Sequence, residues 1–204
     1  HREFPVTVLL LSNSTAPGQR YLEHALDEVL GLFGARRRLV FVPFALADHD
    51  GYTAQVQRAL APLGVRVTGA HEGDPVRQIE DAEAIFVGGG NTFRLVKALH
   101  ELGLMGPIRA RVAAGAPYLG SSAGTNVAAP SLRTTNDMPI VQPPSFETLG
   151  LVPFQINPHY LDPDPASTHH GETREERIVQ FLEENDVPVL GMREGTWLTS
   201  VRRP

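Results

Sequence analysis

An α/β fold, a three-layer α/β/α sandwich around a mostly parallel sheet, is what this sequence predicts, and three observations carry the prediction. Short apolar runs rich in β-formers alternate with segments of helical period along most of the 204 residues. Those runs are apolar at nearly every position, as strands are when helices cover both faces of a parallel sheet. Two of them, 84–87 and 117–120, lead straight into glycine-rich turns followed by helix-compatible sequence. Strand ends of that kind are where open α/β sheets gather their ligands.

Taken in order, residues 6–11 (VTVLLL) form the first strand. The run is far too short for a membrane span, which needs roughly 18 to 20 residues, and it lacks the small-residue cleavage site of a signal peptide. Leu22, Ala25, Leu26, Val29, Leu30 and Phe33 then repeat at helical spacing and predict a helix over 21–33. Strand 39–44, helix 53–63 and strand 65–68 follow. Strand 84–87 precedes helices 92–102 and 108–114, and strand 117–120 follows these. The last third predicts strand 151–156, helix 174–184 and strand 187–192. Helix 174–184 opens with Thr173 and Glu176 at capping-box spacing, where each satisfies an amide of the other. The irregular stretches 136–147 and 157–171 are rich in Pro, Asp, Asn and Ser, and loops of that length in compact domains tend to be functional or mobile. Neither a repeat nor a linker divides the chain, so residues 1–204 are expected to form a single domain.

Composition narrows the function. A net charge of -5 with no basic face beyond Arg36-Arg37-Arg38 gives no reason to expect nucleic acid. There is no cysteine, which fits a cytoplasmic, reducing location and excludes thiol nucleophiles and thiolate metal sites. Any covalent catalyst is therefore an oxygen or nitrogen nucleophile.

Gly120-Ser121-Ser122-Ala123-Gly124 supplies one. Gly-x-Ser-x-Gly between a strand and a helix describes a nucleophile elbow, in which a strained turn lifts the serine clear of the sheet and the flanking positions must be small. Ser122 is the nucleophile expected, and the amide of Ala123 faces the developing oxyanion. Gly88-Gly89-Gly90-Asn91 is the second glycine strand-end, with Gly90, or Gly89 beside it, as the other oxyanion donor. It matches neither the dinucleotide nor the Walker pattern. Serine needs a base. Of eight histidines, His24 and His100 fall on helical stretches, His1 is terminal, and His49 and His71 lie in loops away from any motif. His159 follows strand 151–156 and is the base expected. His169-His170 lacks the spacing of a metal site and reads as solvated loop, so no metal is expected. Two carboxylates compete to orient the base: Glu194, directly after strand 187–192, and Asp137, in a polar loop after the elbow helix.

These segments together resemble the peptidase E family of aspartyl dipeptidases. The resemblance runs through Leu9-Leu10-Leu11-Ser12-Asn13-Ser14-Thr15, Gly88-Gly89-Gly90-Asn91-Thr92-Phe93, the elbow, Arg133-Thr134-Thr135-Asn136-Asp137-Met138-Pro139-Ile140-Val141, Gln155-Ile156-Asn157-Pro158-His159 and Gly171-Glu172-Thr173-Arg174-Glu175. It implies a class I glutamine amidotransferase-like fold with serine in place of cysteine. It also implies cleavage of dipeptides bearing an N-terminal aspartate, with no metal or organic cofactor. Its serine and histidine fall on Ser122 and His159, and its acid on Glu194 or Asp137. Substrate contacts are expected from Gly89, Gly90, Ala123 and Asn91, with Arg174 or Arg133 pairing with the substrate carboxylate. Two departures stand out: Ser121 where the family's elbow carries tryptophan, and Thr125 where it carries alanine. The chain also stops at Pro204 where relatives continue into further strands. The rival readings are an α/β-hydrolase esterase, whose Ser-acid-His order Ser122, Asp137 and His159 would match, and a non-enzymatic module holding a small anion at Gly88–Asn91. A monomer or homodimer acting on small peptides, away from membranes, completes the expectation.

Overall fold

The computed structural model describes residues 6–201. The readings made at His1 and at the chain end, Pro204, lie outside them. Eight strands and seven α-helices are described, in the order β1 (Val8–Leu11), α1 (Leu26–Phe33), β2 (Arg38–Val42), α2 (His49–Leu60), β3 (Arg66–Gly69), α3 (Pro75–Glu80), β4 (Ala84–Val87), α4 (Thr92–Glu101) and α5 (Met105–Ala113). Then come β5 (Tyr118–Ser121), α6 (Ala123–Asn126), β6 (Gln155–Tyr160), α7 (Arg174–Glu184), β7 (Val189–Arg193) and β8 (Trp197–Ser200).

Six strands form the central sheet in the order β3-β2-β4-β5-β1-β8. All neighbours are parallel except β8, which runs antiparallel to β1. Alternation along each strand divides the core in two. Val8 and Leu10 join Ile85, Leu95, Leu99, Ile108 and Val112 on the α3–α5 side. Leu9 and Leu11 join Val29, Phe33, Phe41, Val56 and Leu60 on the side of α1 and α2. The three layers expected from the apolar strands are therefore present. β6 and β7 pair with each other in a separate two-stranded sheet.

The elements depart from expectation where local chemistry competes with the apolar pattern. The first half of the 21–33 stripe is not α-helix: Leu22 adopts φ 62° and a 3₁₀ turn spans Glu23–Ala25. α2 starts before residue 53 because the Asp48 carboxylate accepts the Gly51 amide at 2.9 Å and caps it. α3, capped by Asp74 with Pro75 in its first turn, was not anticipated, nor was β8. The expected strand 151–156 lies four residues later. Leu151 and Val152 instead donate their amides to the Ala128 carbonyl and bury their side chains beside the elbow helix. The strand runs on through Asn157-Pro158, a dipeptide that reads as a breaker, because a two-stranded sheet tolerates proline.

Candidate active site

The elbow is built by glycines that nothing else could replace. A Cβ at Gly124 would collide with the Val87 carbonyl of β4, and one at Gly120 would lie 2.7 Å from the Gly124 oxygen. The chain thus turns sharply between β5 and α6, and Ser122 at the apex takes φ 53°, ψ -109°, a region side chains adopt only when the surroundings enforce it. Enforcement comes from both sides: the Ser122 amide donates to the Leu11 carbonyl at 3.1 Å, Thr125 Oγ1 donates to the same carbonyl at 2.6 Å, and the buried Tyr118 hydroxyl donates to Gly124 O at 2.6 Å. Thr125 therefore fills its unusual place in the elbow as an anchor to β1.

His159 comes from the small sheet. It has φ 56° and sits at an irregularity where β6 slips against β7 between Pro158 and Tyr160. A bulge re-aims one side chain out of the strand's alternation, and here the imidazole turns to the elbow. Ser122 Oγ and His159 Nε2 are 2.7 Å apart, and His159 Nδ1 is 2.9 Å from Glu194 Oε1. Glu194 follows β7 immediately. The imidazole therefore has a serine hydroxyl on one nitrogen and a carboxylate on the other, an arrangement that can accept the hydroxyl proton and stabilise the imidazolium that would result.

Sequence reasoning missed the residues that hold these pieces together. Ser12 is fully buried; its hydroxyl accepts the His159 amide at 3.0 Å and donates to the Met192 carbonyl at 2.9 Å. Asn13 accepts the Gly195 amide at 2.6 Å, fixing the turn that carries Glu194. Both sit just past the end of β1, and their signal was present in the Ser12-Asn13-Ser14-Thr15 string without a role attached to it. Asn126 Nδ2 donates to the Ile156 carbonyl at 2.8 Å and ties the elbow helix to β6.

Asp137 is not the partner of the imidazole. Its Oδ2 accepts the Thr92 amide at 2.7 Å and the Thr92 hydroxyl at 2.6 Å, so the carboxylate sits at the N-terminus of α4, where a negative charge is stabilised by the free amides. This corrects its candidacy as the acid, and it removes the Ser-acid-His order that favoured an esterase. Asn91 likewise serves the fold: its side chain caps α4 through the Arg94 amide at 3.1 Å, its Nδ2 donates to Met138 O, and its own amide is taken by Ala45 O. The Arg133 guanidinium lies over the Phe146 ring, 5.1 Å from the centroid, and Arg133 is not among the residues that line the Ser122 cavity.

Ser122, His159 and Glu194 line a cavity of about 380 Å³ together with Gly89, Gly90, Tyr21 and Tyr52. A Cβ at Gly89 would lie 2.9 Å from Ser122 Cβ, which places the glycine strand-end directly against Ser122. Gly90 has φ 134° and abuts Ala45. Among the described residues no acceptor takes the amide of Gly90 or of Ala123. Arg174 lines a different cavity, of about 340 Å³, with Asp162, Asp164, His169, Glu172 and Arg177, and the two cavities share no lining residue. Its Nε is buried without a hydrogen-bond partner, and burial, with Arg177 nearby, lowers its pKa. His169 is on that same rim. No group of three or more His, Asp and Glu side chains is placed to hold a metal ion among the described residues, nor is any helix there long and apolar enough to cross a membrane.

The family model described as "Peptidase family S51" matches residues 8–202. A Streptomyces coelicolor protein named peptidase E is 68% identical over 194 residues, covering 95% of this chain and 80% of its own length. A Drosophila melanogaster protein named for an alpha-aspartyl dipeptidase is 55% identical, with 93% and 80% covered, and peptidase E of Escherichia coli O1:K1 is 52% identical, with 94% and 85% covered. The crystal structure of a Listeria monocytogenes EGD-e protein named for peptidase E superposes with a TM-score of 0.71 at 22% identity, over 95% of this chain and 93% of that one. A peptidase from an acI-B1 actinobacterium gives a TM-score of 0.67 at 17% identity, over 98% and 85%. At those identities the two structures speak to the fold, a mostly parallel sheet between helical layers.

Proposed function

The chain belongs to peptidase family S51, and from that premise we propose that it is a serine dipeptidase that hydrolyses Asp-X dipeptides through an acyl-enzyme. One observation carries the reading: the 2.7 Å approach of Ser122 Oγ to His159 Nε2, with Glu194 at 2.9 Å on the other ring nitrogen. His159 takes the Ser122 proton as the oxygen attacks the carbonyl carbon after the aspartate. The oxyanion forms beside the uncommitted amides of Gly90 and Ala123. His159 then protonates the leaving amine, the C–N bond breaks, and water deacylates the serine by the same route. Glu194 holds the imidazole through Nδ1. The described chain acts as one peptidase domain.

Selectivity for aspartate follows the relatives' names and asks for a cation at the substrate's side-chain carboxylate. Arg174 is the candidate favoured over Arg133, because its Nε is buried and lacks an acceptor. Its cavity is separate from that of Ser122, so on this reading the 161–173 segment, which joins His159 to Arg174 along the chain, brings the guanidinium across when substrate binds. The absence of cysteine suits a cytoplasmic place of action.

The test is turnover of Asp-X, Glu-X and Ala-X dipeptides by the purified protein and by Ser122→Ala. Asp-X is expected to be cleaved preferentially, with kcat falling on the order of 10⁴-fold or more in the variant. Equal turnover by the variant, or a preference for simple esters over Asp-X, would overturn the proposal.

A further inference from the structure

The carboxylate beside His159 has little hold of its own. Among the described residues the imidazole is the only hydrogen-bond or ion-pair partner of the Glu194 side chain, and the imidazole and carboxylate are 35% and 52% exposed. An exposed pair of this kind gains little against water and against the freedom of a long side chain. What keeps the carboxylate in line with Nδ1 must therefore act through its backbone. Glu194 and Gly195 are the central residues of a turn, Arg193 to Thr196, that leaves β7 of the small sheet and enters β8 of the central one. The Thr196 N–H closes it on the Arg193 carbonyl at 3.2 Å, and Gly195 supplies a φ of 78°. The central peptide, whose N–H belongs to Gly195, has no partner inside such a turn, and its direction is what separates the common turn types.

Asn13 takes that N–H. Its Oδ1 lies 2.6 Å from the Gly195 nitrogen, and its Nδ2 donates to the Thr15 carbonyl at 2.8 Å, so both ends of the amide are committed. Asn13 is 5% exposed, follows β1 by two residues and lines the Ser122 cavity. The neighbouring Ser12 N–H donates to the Thr196 carbonyl at 3.1 Å, which prolongs the pairing of β1 with β8 up to the turn. We propose that Asn13 is a positioning residue: it pins the apex of the turn to the end of β1, sets where the Glu194 carboxylate stands, and acts on the reaction only through Glu194. The inference rests on the proposed function and adds a residue outside the serine, histidine and glutamate set. Two consecutive residues then divide the work, because Ser12 grips the backbone of His159 and Asn13 that of the Glu194 turn.

The test places Asn13→Ala in the wild type and in Glu194→Ala, with two readouts. One is turnover of Asp-X; the other is the rate at which a serine-reactive phosphonate labels Ser122, which requires no aspartate in the probe. In the wild-type background kcat and the labelling rate are each expected to fall about tenfold, with KM within twofold, as a misplaced carboxylate leaves the imidazole poorly oriented. In the Glu194→Ala background the same substitution is expected to change either rate by no more than about twofold, since the two residues act as one unit. A residue that bound substrate, or merely braced the fold, would cost as much in both backgrounds. Equal losses in the two, or wild-type rates in Asn13→Ala, would overturn the proposal. Should Asn13→Ala fail to fold, amide hydrogen exchange on the wild-type protein decides instead: the Gly195 N–H is expected to be protected although the residue is exposed, and free exchange refutes the tether. A wild type that is labelled at Ser122 but does not cleave Asp-X sinks the proposed substrate, and the labelling rates still judge Asn13.

Discussion

The two sheets contribute to the site in different ways. The six-stranded sheet carries Ser122 and the Gly88–Gly90 turn on strands whose residues are almost wholly buried: β1, β4 and β5 expose nothing. The two-stranded sheet carries His159 and delivers Glu194, whose side chains are 35% and 52% exposed. Its neighbour α7 buries no residue, and Val179 and Leu182 on that helix are half exposed. Ser122 and the Gly88–Gly90 turn thus sit on a rigid frame that holds a strained serine. His159 and Glu194 are carried by a lightly packed unit, and their position depends on a few buried hydrogen bonds across the seam. Local opening costs least where few apolar contacts are made. Fluctuation is therefore expected to separate His159 from Ser122 before it disturbs the elbow.

The comparison breaks most severely if the frame is altered. Gly124→Ala places a methyl group against the Val87 carbonyl, and neither backbone can retreat because β4 and β5 are hydrogen-bonded neighbours in mid-sheet. Overpacking of this kind costs about 1–3 kcal/mol and occasionally more, and a backbone clash belongs at the upper end. Thermal and denaturant unfolding of Gly124→Ala should show a loss of about 3 kcal/mol. A wild-type midpoint would mean the elbow is far more pliable than its packing implies.

Next in size is the seam. Ser12→Ala removes the hydroxyl that accepts the His159 amide and donates to the Met192 carbonyl. Leaving buried polar groups unpaired costs about 1–3 kcal/mol each, although small shifts of β6 against β7 will recover part of it. The expected result is a stability loss of about 1–2 kcal/mol together with a fall in kcat of about tenfold, since a displaced imidazole meets Ser122 less often in the reacting geometry. If stability falls while kcat holds, Ser12 braces the two sheets without setting the position of the base.

How much of this could be read from the residues follows the same division. The frame was legible because its signals are local. Apolar runs mark strands, and Gly120, Ser122 and Gly124 are the small residues that a strand-to-helix turn demands. The small sheet was less so. Asn157-Pro158 reads as a strand breaker, yet lies inside β6. His159 was chosen because it followed an expected strand, whereas in the structure a bulge within the strand aims it. Between Glu194 and Asp137 the sequence leaned to Glu194, which directly follows an expected strand, but left the choice open, because only the tertiary contact separates them. One carboxylate meets the imidazole, and the other caps α4. Arg133 attracted attention as a cation in a shared string, but stacking on Phe146 is a contact between loop residues that no spacing announces.

The smallest effect is expected at the rim of the small sheet. Arg193, next to Glu194, forms a two-pronged pair with Asp162, Nε to Oδ2 at 2.6 Å and Nη2 to Oδ1 at 2.8 Å, and lies 5.8 Å from the centroid of the Tyr160 ring. The pair ties the start of the 161–173 segment to the turn bearing the acid, but both side chains are about 60% exposed, and exposed pairs contribute little to stability. Hydrogen bonding to Arg193 depresses the Asp162 pKa. The pair's contribution is therefore complete above the ordinary carboxylate range and disappears as pH falls through the depressed value. Arg193→Ala should accordingly change kcat on Asp-X by no more than about twofold near neutral pH, with a difference that shrinks in high salt. In thermal unfolding, wild type and variant should converge once the pH has fallen below the depressed Asp162 value. A loss as large as that of Ser12→Ala would show that Glu194 is held from the solvent side as firmly as from the buried seam, and the contrast between frame and satellite sheet would then have to be abandoned.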